Sequence, residues 1–464
     1  MEKIKNLITK NKILLLIFLL ALISRLAYIS PWLTDWDSVQ FALALHDFDI
    51  TKHQPHPPGY LLYILLGKAF YVLLQDDTKA LTALSVLTGS LTTIPVYLLT
   101  KKMFNKTTAI FASILFIIIP VTWTLSEVAL TNMPGLFFLT IFAYLLYISS
   151  NNPKKIIATS FLGGAILGVR FTEVPIIVAL IGLMLIRQFS IKHSIYSLVA
   201  LVAGATAWLL PLVFITGTKN FLDSYLWIAN YVIEHDALLE ARLERLFYLL
   251  KVGYTPYFAL LGFSTALWLI FNKARARQLR YQFLGIWLLA YSIPLAVVYN
   301  LEVPRYTLPL APPLVIITAV ALWAGIKKTK ILIPVFLFLV GLILNQSLSQ
   351  LTRLADTTPP TIAAVLYVKN NFNPKNTAIG TSFTYRHFKH YAPEFSAFWG
   401  NALAQVDISA TNQVILDYSG LKDKIVGLEN FNLSETIEFV GDKDIFTRVP
   451  NITLYIYEKN KTIN

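Results

Sequence analysis

Residues 81–100 read LTALSVLTGSLTTIPVYLLT, residues 101–106 read KKMFNK, and residues 107–125 read TTAIFASILFIIIPVTWTL. Neither apolar run contains a charged residue, and each has about the 20 residues that a helix needs to cross a bilayer. The segment between them carries three lysines in six positions. This pattern predicts two membrane helices joined by a short positive loop.

Apolar runs of this kind recur along most of the chain. Of its 464 residues, 56% are apolar and 14% are charged, against roughly 45–50% and about 25% in soluble domains. This composition excludes an ordinary soluble enzyme and an intrinsically disordered chain. We expect about eleven membrane spans, at 13–30, 81–100, 107–125, 133–149, 156–170, 174–187, 194–214, 254–272, 281–299, 306–325 and 331–349.

The positions of the charges predict the orientation of these spans. Six short segments carry eighteen Lys and Arg residues and one acidic residue, Glu2, and we place them in the cytoplasm because positive loops favour that side. The same rule makes the apolar stretch 59–74 an interfacial helix that does not cross. The N-terminus is then cytoplasmic and the C-terminal region outside, as in a multi-pass plasma-membrane protein. The net charge of +13 therefore reflects topology, and no nucleic-acid partner is expected.

The last quarter of the chain has a different character. Its basic and acidic residues balance, and short β-rich runs begin near 377, 414, 436 and 452, after an apolar helical stretch at 361–372. The Thr-Thr-Pro-Pro segment at 357–360 is typical of a helix stop. We therefore expect a membrane module at 1–350, with a first outer loop at 31–80, and an extracytoplasmic α/β domain at 351–464.

Acidic and histidine side chains crowd into the first outer loop. Asp35 and Asp37 follow the first span closely, and His53 and His56 come before the next apolar stretch. Two neighbouring carboxylates at a membrane surface suit a general base or a cation site, although an Asp here could equally cap a helix that begins near Ser38. The histidines lack the helical i, i+4 spacing of HExxH sites, so no metal site is expected.

Further charged residues are predicted on the same outer face. Glu127 has no basic residue in its own loop, which makes it a candidate for function or for simple solvation. Arg170 and Arg305 oppose the positive-inside trend. Either could pair with a nearby glutamate, or could bind phosphate through the planar guanidinium fork. Arg25, inside the first span, is expected to pair with a neighbouring helix.

Four motifs occur in order along this face. They are Arg25-Leu26 followed by Asp37-Ser38 with Phe41, then His56 to Tyr60 (His-Pro-Pro-Gly-Tyr), then Ser126-Glu127, and finally Arg305-Tyr306 with Leu308-Pro309-Leu310. Together they resemble the GT-C superfamily of polyprenyl-phosphate-sugar-dependent membrane glycosyltransferases, in the branch of protein O-mannosyltransferases, glycosyltransferase family 39, the aminoarabinose transferase of lipid A, and DUF2723-like proteins. Those families usually have Asp-Glu where this chain has Asp37-Ser38, which leaves Asp35 as a rival for the catalytic position.

The resemblance implies a GT-C helical bundle with interfacial helices in the first outer loop. It also implies an inverting hexosyl- or pentosyltransferase whose donor is a polyprenyl-phosphate sugar. The acceptor would be a hydroxyl of a glycolipid, a glycan or a protein. Asp37 or Asp35 would be catalytic, and the substrate-binding residues would be Glu127, Arg305, Tyr306, His56, His53 and Arg170.

Other functions have weaker support in the sequence. P-loop, GxGxxG and GxSxG motifs are absent, so neither a cofactor nor nucleotide binding is expected. A transporter or lipid flippase is the alternative function. Its usual marks are inverted repeats and mid-membrane charges, whereas the charges here gather at one face.

Overall fold

The computed structural model describes residues 12–188, 190–234, 239–297, 303–441, 449 and 451–460. Most of them are helical. In chain order the helices are α1 Lys12–Leu26, α2 Trp36–His46, α3 Leu61–Leu74, α4 Asp77–Met103, α5 Lys106–Ile118, α6 Pro120–Thr124, α7 Asn132–Ile148, α8 Pro153–Ile166, α9 Val174–Gln188, α10 Ile191–Thr216, α11 Thr218–Glu234, α12 Leu239–Tyr254, α13 Pro256–Phe271, α14 Lys273–Ala276, α15 Leu279–Val297, α16 Ala311–Lys328, α17 Leu332–Asp356, α18 Pro360–Asn371 and α19 Tyr385–Tyr391.

Each of the eleven apolar runs contains helix, but the predicted count of spans is not confirmed. Within the described ranges, four helices are long and apolar enough to cross a membrane, or five if a pair bent by 110° near Thr255 forms one span. Several of the others fall short of 18 residues. The run 107–125, for example, breaks at Ile119, where Pro120 begins a new short helix.

Close packing of small residues holds two of the helices together. Gly164 of α8 and Gly204 of α10 face each other, and a Cβ on either would overlap the backbone of the opposite helix. Small residues allow the two backbones to approach closely. In lipid the hydrophobic effect does not drive helices together, so the van der Waals contacts of such close packing stabilise the pair. One continuous core links these helices to α2, α3 and the later helices.

The segment at 31–80, expected to be the first outer loop, folds back along the bundle. Asp35 caps α2, which begins at Trp36, so the expected Asp-capped helix near Ser38 is present. A turn at Ile50–Lys52 leads to α3, which has 14 residues. At 1.5 Å per residue that helix spans roughly 21 Å, less than the ~30 Å hydrocarbon core, which is compatible with an interfacial position.

A five-stranded sheet follows the last long helix. Helix α17 ends at Asp356, as the stop signal predicts. The strands are β1 Thr377–Thr381, β2 Ser396–Trp399, β3 Gln413–Leu416, β4 Phe431–Val440 and β5 Asn451–Lys459, in the order β2-β1-β3-β5-β4. Strands β1, β2 and β3 are parallel, whereas β5 is antiparallel to β3 and β4. The expected small C-terminal α/β fold is confirmed, and β2 is a strand that the sequence pattern missed.

The sheet unit packs directly against the first outer loop. The Tyr391 hydroxyl accepts a hydrogen bond from the Leu33 amide at 2.9 Å. Arg386 donates through Nη1 to the Lys52 carbonyl at 2.8 Å. Both contacts come from α19, so this helix attaches the sheet unit to the loop that carries Asp35 and Asp37.

Candidate active site

The start of α2 positions two carboxylates. Asp35 is the N-cap residue, and its Oδ1 accepts a hydrogen bond from the Asp37 amide at 2.8 Å. Capping by Asp satisfies an amide that the helix leaves without a partner. The Asp35 side chain is 2% exposed and that of Asp37 is 16% exposed. Asp35 therefore shapes the helix start, while Asp37 remains accessible to a substrate.

Arg305 reaches both carboxylates from the far end of the sequence. Its Nη2 lies 2.5 Å from Asp37 Oδ2, and its Nη1 lies 3.1 Å from Asp35 Oδ1. The Nη1 contact lacks hydrogen-bond geometry, so that buried nitrogen has no hydrogen-bond partner among the described residues. The Tyr306 ring centroid is 5.3 Å from the guanidinium carbon. The arginine therefore holds Asp37 in place and keeps donor capacity for another anion.

His56 is oriented by a chain of hydrogen bonds. Gln40 Oε1 accepts from the His56 backbone amide at 3.1 Å and lies 2.8 Å from Nδ1. An amide proton can only be donated, so this oxygen is an acceptor and Nδ1 carries the ring proton. Nε2 can then accept from the Tyr60 hydroxyl at 3.2 Å. This chain fixes the ring with Nδ1 at 3.6 Å from Asp37 Oδ1.

His53, near His56 and Asp37, is neutral at neutral pH. Burial, with a smaller effect from the positive charge of Arg386, lowers its pKa to about 4 against the opposing effect of Asp37. Its ring packs edge-on against Trp227 at 4.7 Å. His53 thus contributes shape and hydrogen-bonding capacity, and no charge, at neutral pH.

Arg170 lies near Tyr60, in the connection between α8 and α9. Its Nη1 donates to Thr131 Oγ1 at 2.9 Å. The charge of Arg170 acts on Glu173, as in the pairing expected from the sequence. No hydrogen bond joins the two side chains, because both Glu173 oxygens are buried without a hydrogen-bond partner among the described residues. The other alternative pair, Arg305 with Glu302, lies outside the described residues. The charge of Arg170 acts on Tyr60, as do those of Asp37 and Arg305.

Glu127 is buried beside Arg25. Its side chain is fully buried, and neither carboxylate oxygen has a hydrogen-bond partner among the described residues. The charge of Arg25 acts on it, and the Arg25 guanidinium packs over Trp123 at 5.7 Å. The Glu127 carbonyl accepts from the Ser30 amide at 3.0 Å, which ties this loop to the segment before Asp35.

The segment after Glu127 contacts both Arg170 and Arg305. Thr131 binds Arg170, and the Asn132 side chain donates to the Arg305 carbonyl at 3.2 Å. The sequence did not predict a role for Asn132 or Gln40, because a single amide side chain forms no recognisable motif. Tyr60 was predicted only as the last residue of the His-Pro-Pro-Gly-Tyr element, and its contact with His56 was not expected.

The described residues contain no group of three or more His, Asp or Glu side chains suited to a metal ion. Asp35 and Asp37 both contact Arg305 instead. The cation that this arrangement fits is therefore the guanidinium.

Comparison with known proteins gives a family match and a fold match. The family model described as dolichyl-phosphate-mannose-protein mannosyltransferase matches residues 55–215, which is about a third of the chain. ArnT from Cupriavidus metallidurans, solved with undecaprenyl phosphate, superposes with a TM-score of 0.63 at 11% identity, over 96% of this chain and 98% of that one. The chain has the GT-C fold.

A second GT-C structure agrees with this assignment. The Archaeoglobus fulgidus oligosaccharyltransferase tethered to an acceptor peptide superposes with a TM-score of 0.56 at 12% identity, over 87% of this chain and 69% of that one. No curated protein sequence matches the chain. The GT-C recognition made from the four motifs is confirmed, and the match over 55–215 begins at the His-Pro-Pro-Gly-Tyr element.

Proposed function

We propose that this GT-C chain is a membrane glycosyltransferase that moves a sugar from a polyprenyl-phosphate donor to an acceptor hydroxyl on the outer face of the membrane. The supporting observation is the 2.5 Å pair between Asp37 and Arg305. It places a carboxylate that can take a proton beside a guanidinium that can bind phosphate. The undecaprenyl phosphate in the ArnT structure supports a lipid carrier of the same class here.

The reaction follows from the roles of these two residues. Asp37 takes the proton of the acceptor hydroxyl as its oxygen attacks the anomeric carbon. The bond from that carbon to the phosphate oxygen breaks, and the lipid phosphate leaves with the bonding electrons. Attack opposite the phosphate inverts the anomeric centre, through a transition state with oxocarbenium character.

The remaining cations and polar groups support this step. The Arg305 Nη1 group, with Arg170 near Tyr60, would stabilise the charge that grows on the leaving phosphate. Tyr306 packs on Arg305 and would shape the donor site. His56 and His53 would orient the substrates, and Glu127 would act through the loop that carries Thr131 and Asn132. The flippase alternative is not favoured, because the fold is that of glycosyltransferases.

A transfer assay tests the proposal. Purified protein in liposomes receives polyprenyl-phosphate carriers with labelled mannose, glucose or aminoarabinose, together with a membrane extract. Asp37→Asn should cut sugar transfer about 10²- to 10⁴-fold, as expected for loss of a general base. Asp407→Asn, an exposed carboxylate in the sheet unit, is the matched control and should behave as wild type.

Two results would contradict the assignment. Full transfer by Asp37→Asn with loss in Asp35→Asn would make Asp35 the base. Absence of transfer and of donor hydrolysis with every donor, together with movement of the lipid across the bilayer, would favour the flippase.

The orientation is part of the same proposal. We place the multi-pass chain in the plasma membrane, with its N-terminus in the cytoplasm and the sheet unit outside. The protein has no cysteine, so single cysteines can report the side. In intact cells a membrane-impermeant maleimide should label Ala410→Cys, whereas Lys154→Cys should react only after permeabilisation; both positions are exposed. The reverse pattern would invert the topology and remove the outer active site.

A further inference from the structure

An aromatic cluster stands beside the catalytic carboxylate. Trp36 directly precedes Asp37 in the first turn of α2. Its ring meets that of Trp399, at the end of β2, with centroids 6.3 Å apart and planes at 65°. Tyr385 stacks on Trp399 at 6.1 Å and 20°. Two parts of the chain that are far apart in the sequence thus build one aromatic surface, which begins at the residue before Asp37.

Arg386 lies within this cluster. Its guanidinium carbon is 5.2 Å from the Tyr385 ring, 5.8 Å from Trp399 and 6.0 Å from Trp36. The residue is only 3% exposed, and its Nε is buried without a hydrogen-bond partner among the described residues. A buried donor of this kind costs free energy unless a ligand satisfies it.

The rings are not part of a sealed core. Trp399 is 37% exposed, and Trp36 and Tyr385 are half-buried. Trp287, in contrast, is completely buried and bonds to the Pro309 carbonyl. Partly open aromatic faces with a nearby polar donor are a common property of binding surfaces.

We propose that Trp36, Tyr385, Arg386 and Trp399 form the acceptor subsite and that they bind a sugar ring of a glycan acceptor. A sugar ring has an apolar C–H face that suits a flat aromatic surface, and a polar edge that suits the unpaired Nε. The inference rests on the proposed function. In it, the sheet unit determines which acceptor binds.

The position of the donor site supports this assignment. The arginines expected to bind lipid phosphate, Arg170 and Arg305, come from helix connections of the bundle. The aromatic cluster takes three of its four members from the sheet unit. The acceptor would therefore reach Asp37 from the sheet side, while the donor lipid reaches it from the bundle side.

A peptide acceptor fits this surface less well. One common way for an extended peptide to bind is to add a strand to an exposed sheet edge. The edge beside the cluster is β2, which has four residues and offers few backbone groups. This part of the molecule therefore offers a ligand aromatic ring faces rather than backbone hydrogen-bonding groups.

Acceptor kinetics test the subsite. The wild type and variants, in liposomes with saturating labelled donor, receive increasing amounts of membrane extract from the source cells. The labelled product is then treated with protease. We expect the label to resist protease, as in a glycan or glycolipid. Trp399→Ala should raise the acceptor KM about tenfold, as expected for the loss of one stacked ring.

Three measurements keep a binding role separate from a folding defect. Trp399→Tyr retains an aromatic face and should restore the acceptor KM to within about twofold. The donor KM of Trp399→Ala should stay within about twofold of wild type. Tyr418→Ala removes another exposed ring of the same sheet unit, outside the cluster, and is the matched control, expected to match wild type.

The outcomes are distinguishable. An unchanged acceptor KM in Trp399→Ala, with active wild type, would overturn the subsite and leave the glycosyltransferase intact. Protease-sensitive label would show a peptide acceptor, and would also overturn it. Wild type that neither transfers nor hydrolyses any donor would overturn the function itself, and the subsite with it.

Discussion

At the scale of single residues, Arg305 links the two acidic side chains of α2. A guanidinium can contact two carboxylates at once because its nitrogens form a rigid planar fork, whereas a lysine ammonium acts as a point charge. The contacts at 2.5 Å and 3.1 Å use two different nitrogens of this fork. The shape of the cation therefore matters here, in addition to its charge.

Arg305→Lys tests that dependence. The lysine keeps one positive charge but can contact only one carboxylate and bind phosphate through one point, so we expect transfer to fall about 10²-fold, as for the loss of a preorganised donor. The measurement is kcat/KM for the donor. Arg187→Lys changes an exposed arginine bonded to Gln282 and should have no effect. A wild-type rate for Arg305→Lys would rule out a bidentate phosphate clamp.

At the scale of structural elements, the turn from His56 to Tyr60 carries the histidine. Gly59 has φ +99°, and Tyr60 has φ +45°, in a region that bulky residues rarely adopt. The turn holds the Tyr60 hydroxyl within reach of His56. An added Cβ at Gly59 would lie 3.0 Å from a methyl group of Leu212 and 3.1 Å from Ile50. Glycine is thus required both by the backbone and by the packing.

Gly59→Ala should therefore destabilise the protein by about 1–3 kcal/mol, through a strained φ, and should slow transfer by displacing His56. Thermal unfolding in detergent and the transfer rate measure the two effects. Gly341→Ala is the matched control, because nothing lies within 4 Å of its added Cβ. That variant should be neutral or stabilised by up to about 1 kcal/mol. Equal unfolding temperatures for the two variants would contradict the prediction.

At the scale of the whole molecule, the sheet unit contains a histidine, His387, that is neutral in the folded protein at neutral pH. Burial, together with the charge of nearby His390, lowers the pKa of His387 to about 3. The unfolded chain binds this proton below about pH 6.5. The folded chain binds it only near pH 3. Because the unfolded state takes up more protons in this window, the contribution of His387 to stability is fully present above pH 6.5 and is lost as the pH decreases towards 3.

The expected slope is up to about 1.4 kcal/mol per pH unit for this one group. In His387→Leu, the free energy of unfolding should depend less steeply on pH between pH 6.5 and pH 4.5 than in wild type. The other titrating groups are the same in both proteins, so their contributions cancel in the difference. The measurement is the free energy of unfolding of both proteins at each pH. Parallel curves for wild type and His387→Leu would show that the histidine does not titrate between the two states.

Local patterns in the chain were enough to determine the helical membrane class, the C-terminal α/β fold and the GT-C recognition. Hydrophobic runs, positive loops and the Thr-Thr-Pro-Pro stop are short-range features, and solvent and lipid act on them directly. The number of spans could not be read in this way, because helix breaks such as the one at Ile119 make several helices too short to count by length and composition.

The composition of the site was decided by the tertiary structure. Asp37 and Arg305 are separated by 268 positions, and Trp36 meets Trp399 across a still longer separation. No local pattern encodes such contacts, because they arise only when the bundle and the sheet unit bring distant segments together. The sequence alone determined which chemical groups were present for the site. The packing of α2 and α19, and of the segment that carries Arg305, decided which of these groups are in contact.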